Sequence, residues 1–244
     1  MSEIVSGIRK LGNSVSNWYL ISDGGKVTLV DAGKPSDWKA LLRELELLRL
    51  PLNSVDCVLL THAHSDHTGF AERARAEAGA TARVHKQDEQ AARDGKPGKH
   101  ETGLGKYLIH LEAYRTLFGL MTGGGMRIVP LAEVSTFGDG EVLDVPGRPR
   151  ALHVPGHTEG SSALLFEGAS ALCTGDSLVT RNPMTGRRGP QIMPSGLNQN
   201  SKQALESLAL LETTGASVLL PGHGEPWRQG VGAAVSAARA AGMS

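Results

Sequence analysis

The chain has 244 residues, 40% of them hydrophobic and 20% charged, which is enough to bury a sizeable core in one large domain or two small ones. Its 25 lysines and arginines balance 25 aspartates and glutamates, so no global field favours nucleic acid or an anionic membrane. No apolar run approaches the ~20 residues that span a bilayer, and Met1 to Gly7 carry no apolar signal region. The expected compartment is therefore the cytoplasm. There Cys57 and Cys173, both inside apolar strand-like runs, read as buried small hydrophobes rather than a disulfide.

Residues 14–22 and 26–31 read as strands joined by Asp23-Gly24-Gly25, a hairpin signal, and the second strand ends on Asp31. Ser36 is the expected cap of a helix that places Trp38, Leu41, Leu42, Leu45 and Leu48 on one face. Pro51 and Asn53 break the chain before a buried strand over residues 56–60. A polar loop, Thr61 to Gly69, follows it and leads into a helix over residues 70–78. Residues 81–85 read as a short strand, 94–99 as loop, and 107–121 as a helix stopped by Gly123-Gly124-Gly125.

Residues 95–130 interrupt the rhythm and read as a helical insertion in a single domain spanning 1–244. Three readings of the insertion stand side by side: a substrate lid, a homodimer surface covering Tyr114 and Phe118, or an ordinary helix packed on the core. From Val134 the chain reads as β again, with short strands over 150–154, 162–166 and 170–174. A helix over 198–214 capped by Asn200 or Ser201, a strand over 217–220 and an Ala-rich helix over 232–240 complete the chain. The second half thus repeats the β-then-helix order of the first. That predicts an α+β class with two packed sheets covered by helices.

The chemistry concentrates in loops at strand ends. His62-Ala63-His64-Ser65-Asp66-His67 packs three histidines and an aspartate into six residues. Imidazole is the commonest metal ligand and Asp adds a hard oxygen. In an extended segment His62 and His64 point the same way. Further strand-end loops carry His157, Asp176 and His223, each beside a glycine that lets the backbone approach a crowded centre.

Asp31, His62-x-His64-x-Asp66-His67, His157, Asp176 and His223 in this order resemble the metallo-β-lactamase superfamily. The resemblance implies an αββα sandwich with the site at one rim between the sheets. It implies that His62, His64 and His157 hold one metal, that Asp66, His67 and His223 hold a second, that Asp176 bridges them, and that Asp31 supports them from behind. Two divalent ions follow, with zinc expected and iron or manganese also suited to mixed imidazole and carboxylate ligands. Two such ions share one water, whose pKa falls toward about 7. His85, His100, His110 and His153 are not expected to be ligands.

Within the family, Asp176 and the lack of a signal region argue against antibiotic hydrolysis. His64 stands where flavodiiron proteins have Glu. Glyoxalase II and the N-acyl homoserine lactonases share the full ligand set, but Val179 stands where such lactonases carry Tyr. The expected activity is hydrolysis of an ester, lactone or thioester by a metal-bridging hydroxide, with Asp66 relaying the proton and Asp176 holding the bridge. The alternatives are a mononuclear iron persulfide dioxygenase, a phosphodiesterase or RNase Z-like nuclease, a weak β-lactamase, and a protein that keeps its metal for structure. The expected partner is a small molecule. Its recognition is expected from Tyr107, Tyr114 and the 179–193 loop with Arg181, Arg187 and Arg188.

Overall fold

The computed structural model describes residues 3–243. Seven strands form the first sheet in sequence order: β1 (Glu3–Val5), β2 (Ile8–Gly12), β3 (Asn17–Asp23), β4 (Lys26–Val30), β5 (Val55–Leu59), β6 (Thr81–His85) and β7 (Ser135–Phe137). β1 to β4 are antiparallel, and β4 to β7 run parallel. The second sheet contains β8 (Arg150–His153), β9 (Ser162–Phe166) and β10 (Ala171–Gly175). A two-stranded ribbon of β11 (Val179–Arg181) and β12 (Arg188–Gln191) precedes its last strand, β13 (Val218–Pro221), and the sheet order is β13-β10-β9-β8.

Period-two burial builds the layers. Along β3, Trp18 and Leu20 join the cluster under the helices α1 (Trp38–Leu47), α2 (Ala71–Arg73) and α3 (Glu89–Asp94), while Tyr19 and Ile21 face the other sheet. Along β9, Leu164 and Phe166 meet that face, while Ala163 and Leu165 turn outward. After α4 (Leu111–Thr122) come α5 (Ser201–Glu212) and α6 (Val231–Ala241), whose Leu208, Leu211, Val231 and Val235 cover the outer face of the second sheet. The result is an αββα sandwich. Each large side chain buried this way stabilises it by about 1.5–3 kcal/mol. Trp18 and Trp38 both set an edge against Phe70, at 5.1 and 5.9 Å between ring centroids.

Several local details differ from the sequence reading. Ser36 is not the cap; Pro35 opens a 3-10 turn in which the Asp37 carboxylate accepts the Lys34 N–H at 2.9 Å. Leu42 faces solvent rather than the core. The helix after the histidine loop passes from α2 into a π-helical turn, Ala74–Ala78, before Gly79 ends it at φ 74°. Of the two cap candidates for α5, Asn200 is the cap, accepting Gln203 N–H at 2.9 Å. Both cysteines are buried and free.

The segment 95–130 closes over one rim. A 3-10 turn, Leu104–Tyr107, precedes α4. Ser65 Oγ donates to Gly125 O at 2.7 Å and Lys34 Nζ donates to Gly119 O at 3.1 Å. On its other side Thr116 Oγ1 donates to Pro183 O at 2.6 Å and Glu112 pairs with Arg181.

Candidate metal centre

Strand direction gathers the site. β4, β5 and β6 are parallel, so Asp31, the histidine loop and Asp88 leave one edge of the first sheet. β8 and β10 are each antiparallel to β9, and β13 is parallel to β10, so His157, Asp176 and His223 leave one edge of the second. The two edges are stitched together by Ser162 N–H to Thr61 O at 2.9 Å and Asn17 N–H to Gly222 O at 2.7 Å. The approach is close enough to demand glycine: a Cβ on Gly222 would stand 2.2 Å from Asp176 Oδ1, and one on Gly175 2.3 Å from Thr61 Oγ1.

Three overlapping groups of donor atoms result: His62, His64 and His157; His62, His67 and Asp176; and Asp66, His67 and His223, each group's atoms within 4.8 Å of one another. Asp176 reaches into all of them. Its Oδ2 lies 3.1 Å from His223 Nε2, 3.5 Å from His157 Nε2 and 3.9 Å from His62 Nε2, and its Oδ1 lies 3.4 Å from His67 Nε2. Asp66 Oδ2 is 3.7 Å from His67 Nε2 and 3.6 Å from His223 Nε2.

The opposite ring nitrogens are tied back, which is how proteins aim imidazoles at a cation. His62 Nδ1 meets Thr61 Oγ1 at 3.0 Å, His67 Nδ1 meets Asp31 Oδ2 at 2.8 Å, His157 Nδ1 meets Asn198 Oδ1 at 3.1 Å, and His223 Nδ1 meets Val15 O. His64 is turned round, with Nδ1 2.9 Å from His157 Nε2. Nε2 of His62, Nε2 of His67 and Oδ1 of Asp176 are left buried without a hydrogen-bond partner. Orphaned polar atoms converging on one point fit a bound cation, since each would otherwise cost about 1–3 kcal/mol.

Asp31 takes an unusual backbone for a non-glycine residue, φ 62°. Its carboxylate is over-determined: it accepts Thr61 N–H at 2.8 Å, the Thr61 hydroxyl, and His67 Nδ1–H.

Charge is divided unevenly between the two halves. Burial first, and neighbouring imidazoles next, hold His62 well below the ordinary histidine range. Burial, with His157 beside it, does the same to His64, and burial takes His157 down to about 4. These three imidazoles are neutral at pH 7. At His67 and His223 burial also opposes charge, but Asp176 and Asp66 overcome it and both rise above the ordinary value. Asp176 is held well below the usual carboxylate range because His223 and His67 outweigh its burial. A metal entering the His67–His223 half of the metal-free protein therefore competes with protons more than one entering the other half. Zinc titrated calorimetrically at pH 7 in buffers of different ionisation enthalpy should show more proton release in one binding step than in the other. That step should weaken as pH falls through the histidine range, while the other persists toward pH 5. Equal release in both steps would remove the assignment.

The family model described as the metallo-beta-lactamase superfamily matches residues 11–223. The chain belongs to that superfamily. Among its relatives, the probable metallo-hydrolase MJ0888 of Methanocaldococcus jannaschii is 26% identical over 213 residues, 86% of this chain and 88% of that one. An atrochrysone carboxyl ACP thioesterase of Aspergillus terreus is 25% identical over 211 residues, covering 86% of this chain and 49% of the thioesterase. Among solved structures, the metallo-beta-lactamase family protein TTHA1429 of Thermus thermophilus superposes with a TM-score of 0.68 at 26% identity, covering 96% of this chain and 78% of that one. Membership places the chain among metal-dependent hydrolases with candidate His and Asp metal sites.

Beside this metallo-beta-lactamase rim lies a cavity of about 520 Å³. The donor residues His64, Asp66, His157, Asp176 and His223 line one end, and Leu117, Leu120, Ile128, Met184, Met193 and Leu197 line much of the rest. Both segments expected to carry recognition line this cavity, but through residues other than those expected. Tyr107 is buried beside Ser195 and Gly196, whereas Tyr114 and Phe118 face outward from α4. Arg181 is spent on Glu112 and Ser14 O, and neither Arg187 nor Arg188 is on the wall. Among the described residues, Arg127 is the one arginine or lysine on it.

The sequence reading also passed over Thr61, Asp88 and Asn198. Asp88 had a signal, an acid just past a strand in the same way as Asp31. Asn198 had none beyond its place before α5. Of the remaining histidines, His85 and His153 stack on each other at 4.1 Å, and His100 faces His64 at 5.6 Å between centroids.

Proposed function

We propose that this chain is a dinuclear metal-dependent hydrolase of esters, lactones or thioesters whose acyl part is apolar. The observation that carries the reading is the contact between two features. The donor cluster, with Asp176 reaching both halves, forms the end wall of a predominantly apolar cavity. Sites of this size with few placed polar groups bind small molecules. The similarity to a thioesterase supports the carbonyl class.

His62 Nε2, His64 Nδ1 and His157 Nε2 would hold one divalent ion, and Asp66, His67 and His223 a second, with Asp176 shared. Two such ions supply Lewis acidity for the carbonyl and lower the pKa of an attacking water. Zinc fits the imidazole-rich set. The protein's own residues do the rest. The hydrogen bonds to Thr61, Asp31, Asn198 and Val15 O hold the imidazoles in place before substrate arrives. The apolar wall excludes water from the acyl group. Asp66, which lines the cavity, would take the proton from the attacking water and return it to the departing oxygen or sulfur. Arg127, the cationic side chain on the wall, would read an anionic group on the substrate.

Elemental analysis of protein purified without chelator should approach two metals per chain; one iron that added zinc leaves unchanged would point instead to a dioxygenase. Across acyl thioesters of increasing length, kcat/KM should rise about fourfold per methylene until the cavity is filled, as ~0.8 kcal/mol per buried methylene requires. Leu120→Trp should shorten the preferred chain with metal content unchanged, and Arg127→Ala should raise KM only for substrates bearing an anion. Turnover confined to phosphodiesters or β-lactams would sink the reading.

A further inference from the structure

His64 is supported differently from the other imidazoles in the cluster. It offers Nδ1 to the centre, so in a neutral ring the proton sits on Nε2. That Nε2 is buried and has no partner. An unpaired buried donor is costly, and outward nitrogens of metal-bound histidines ordinarily donate to an acceptor. The His100 ring lies 5.6 Å away between centroids, tilted by 57°, and its Nδ1 is also buried without a partner. The chain on either side of His100 is not loose. Glu101 N–H donates to Asn198 O at 2.7 Å, and the Glu101 carboxylate accepts Ser201 N–H at 2.9 Å. Asn198 is the residue whose side chain supports His157. The strand of chain bearing His100 is therefore fastened to the support of a neighbouring ligand.

We propose that His100 is a positioning residue for the metal centre: its Nδ1 accepts a hydrogen bond from His64 Nε2–H and so couples segment 95–130 to the His62–His64–His157 set. The proposal rests on His64 belonging to the metal centre. A bond between the two nitrogens of these neighbouring rings would pair both orphaned atoms at once. The bond fixes the tautomer of His64 and makes its Nδ1 a stronger donor. Because the same segment walls the cavity, a substrate that settles the segment also settles the ligand.

Zinc-loaded wild-type protein with nitrogen-15 histidine should show a slowly exchanging His64 Nε2 proton and a through-bond coupling to His100 Nδ1. Chelator competition on the same holoprotein should find that His100→Phe binds the metal of the His62–His64–His157 set tenfold to a hundredfold more weakly. His100→Asn, which keeps an acceptor near the Nδ1 position, should stay within about threefold of wild type. Cobalt substituted for zinc should give a shifted visible spectrum in the Phe variant and a near-native one in the Asn variant. The proposal is overturned by a metal-loaded wild type with no such coupling. It is equally overturned by a Phe variant of native affinity, by equal losses in both variants, or by a change confined to KM, which would make His100 a substrate contact. A wild type that binds no metal would instead strike the metal-centre reading itself.

Discussion

Asp176→Asn should lower kcat by roughly 10²–10³-fold while the protein stays folded, the scale expected when one preorganised charged group is lost from an active site. The side chain is buried, and asparagine matches its volume, so packing is conserved. What changes is charge. Three of the imidazoles around it are neutral at pH 7, so Asp176 and Asp66 provide the anionic charge among the proposed ligands of two dications. An amide in place of Asp176 also exchanges one of two oxygens for an NH₂ donor, either the one 3.1 Å from His223 Nε2 or the one 3.4 Å from His67 Nε2. Both histidines lose the carboxylate that raises them. Turnover, metal content and circular dichroism should be measured on the same preparation. A metal-replete variant with native kcat would remove Asp176 from the mechanism.

The parts of this site that could be read from sequence are those set by strand ends. Asp31, His62, His64, Asp66, His67, His157, Asp176 and His223 all follow strands whose apolar runs are visible, and the sheets carry them to one rim. The supports of these side chains were less legible, because a hydrogen bond from His157 Nδ1–H to Asn198 Oδ1 spans 41 residues and leaves no local pattern. The first two strands, β1 and β2, and the ribbon β11–β12 were missed because charged and glycine residues interrupt their short runs. In α4 the failure was one of phase. Residues 107–121 are apolar on nearly every side, so composition marks a helix without saying which stripe faces the cavity. Leu117 and Leu120 turn in; Tyr114, Phe118 and Met121 turn out.

Asp88 shows what such an unread support contributes, and its removal should be the most damaging single change outside the donor set. Its carboxylate is buried and clamps two loops: Oδ2 accepts Ala63 N–H at 3.0 Å and the Thr158 hydroxyl at 2.8 Å, and Oδ1 accepts Gly160 N–H at 2.8 Å. Ala63 lies between His62 and His64, and Thr158 follows His157, so one side chain sets the spacing of three proposed ligands. Burial raises the acid above its ordinary pKa despite these bonds, so ionised Asp88 carries a desolvation cost and earlier neutralisation weakens the clamp. Alanine would leave two buried N–H groups unpaired, at about 1–3 kcal/mol each. Thermal unfolding of Asp88→Ala should therefore fall by roughly 5–15 °C, given about 2–4 °C per kcal/mol for a chain of this size. Asparagine should not rescue it. Both oxygens accept, so an amide must aim its NH₂ at the N–H of Gly160 or of Ala63. The two variants should lose stability alike, and both should bind the metal of the His62–His64–His157 set more weakly. If Asp88→Asn instead melted with wild type and kept its metal affinity, the clamp would be a packing contact rather than a charged acceptor.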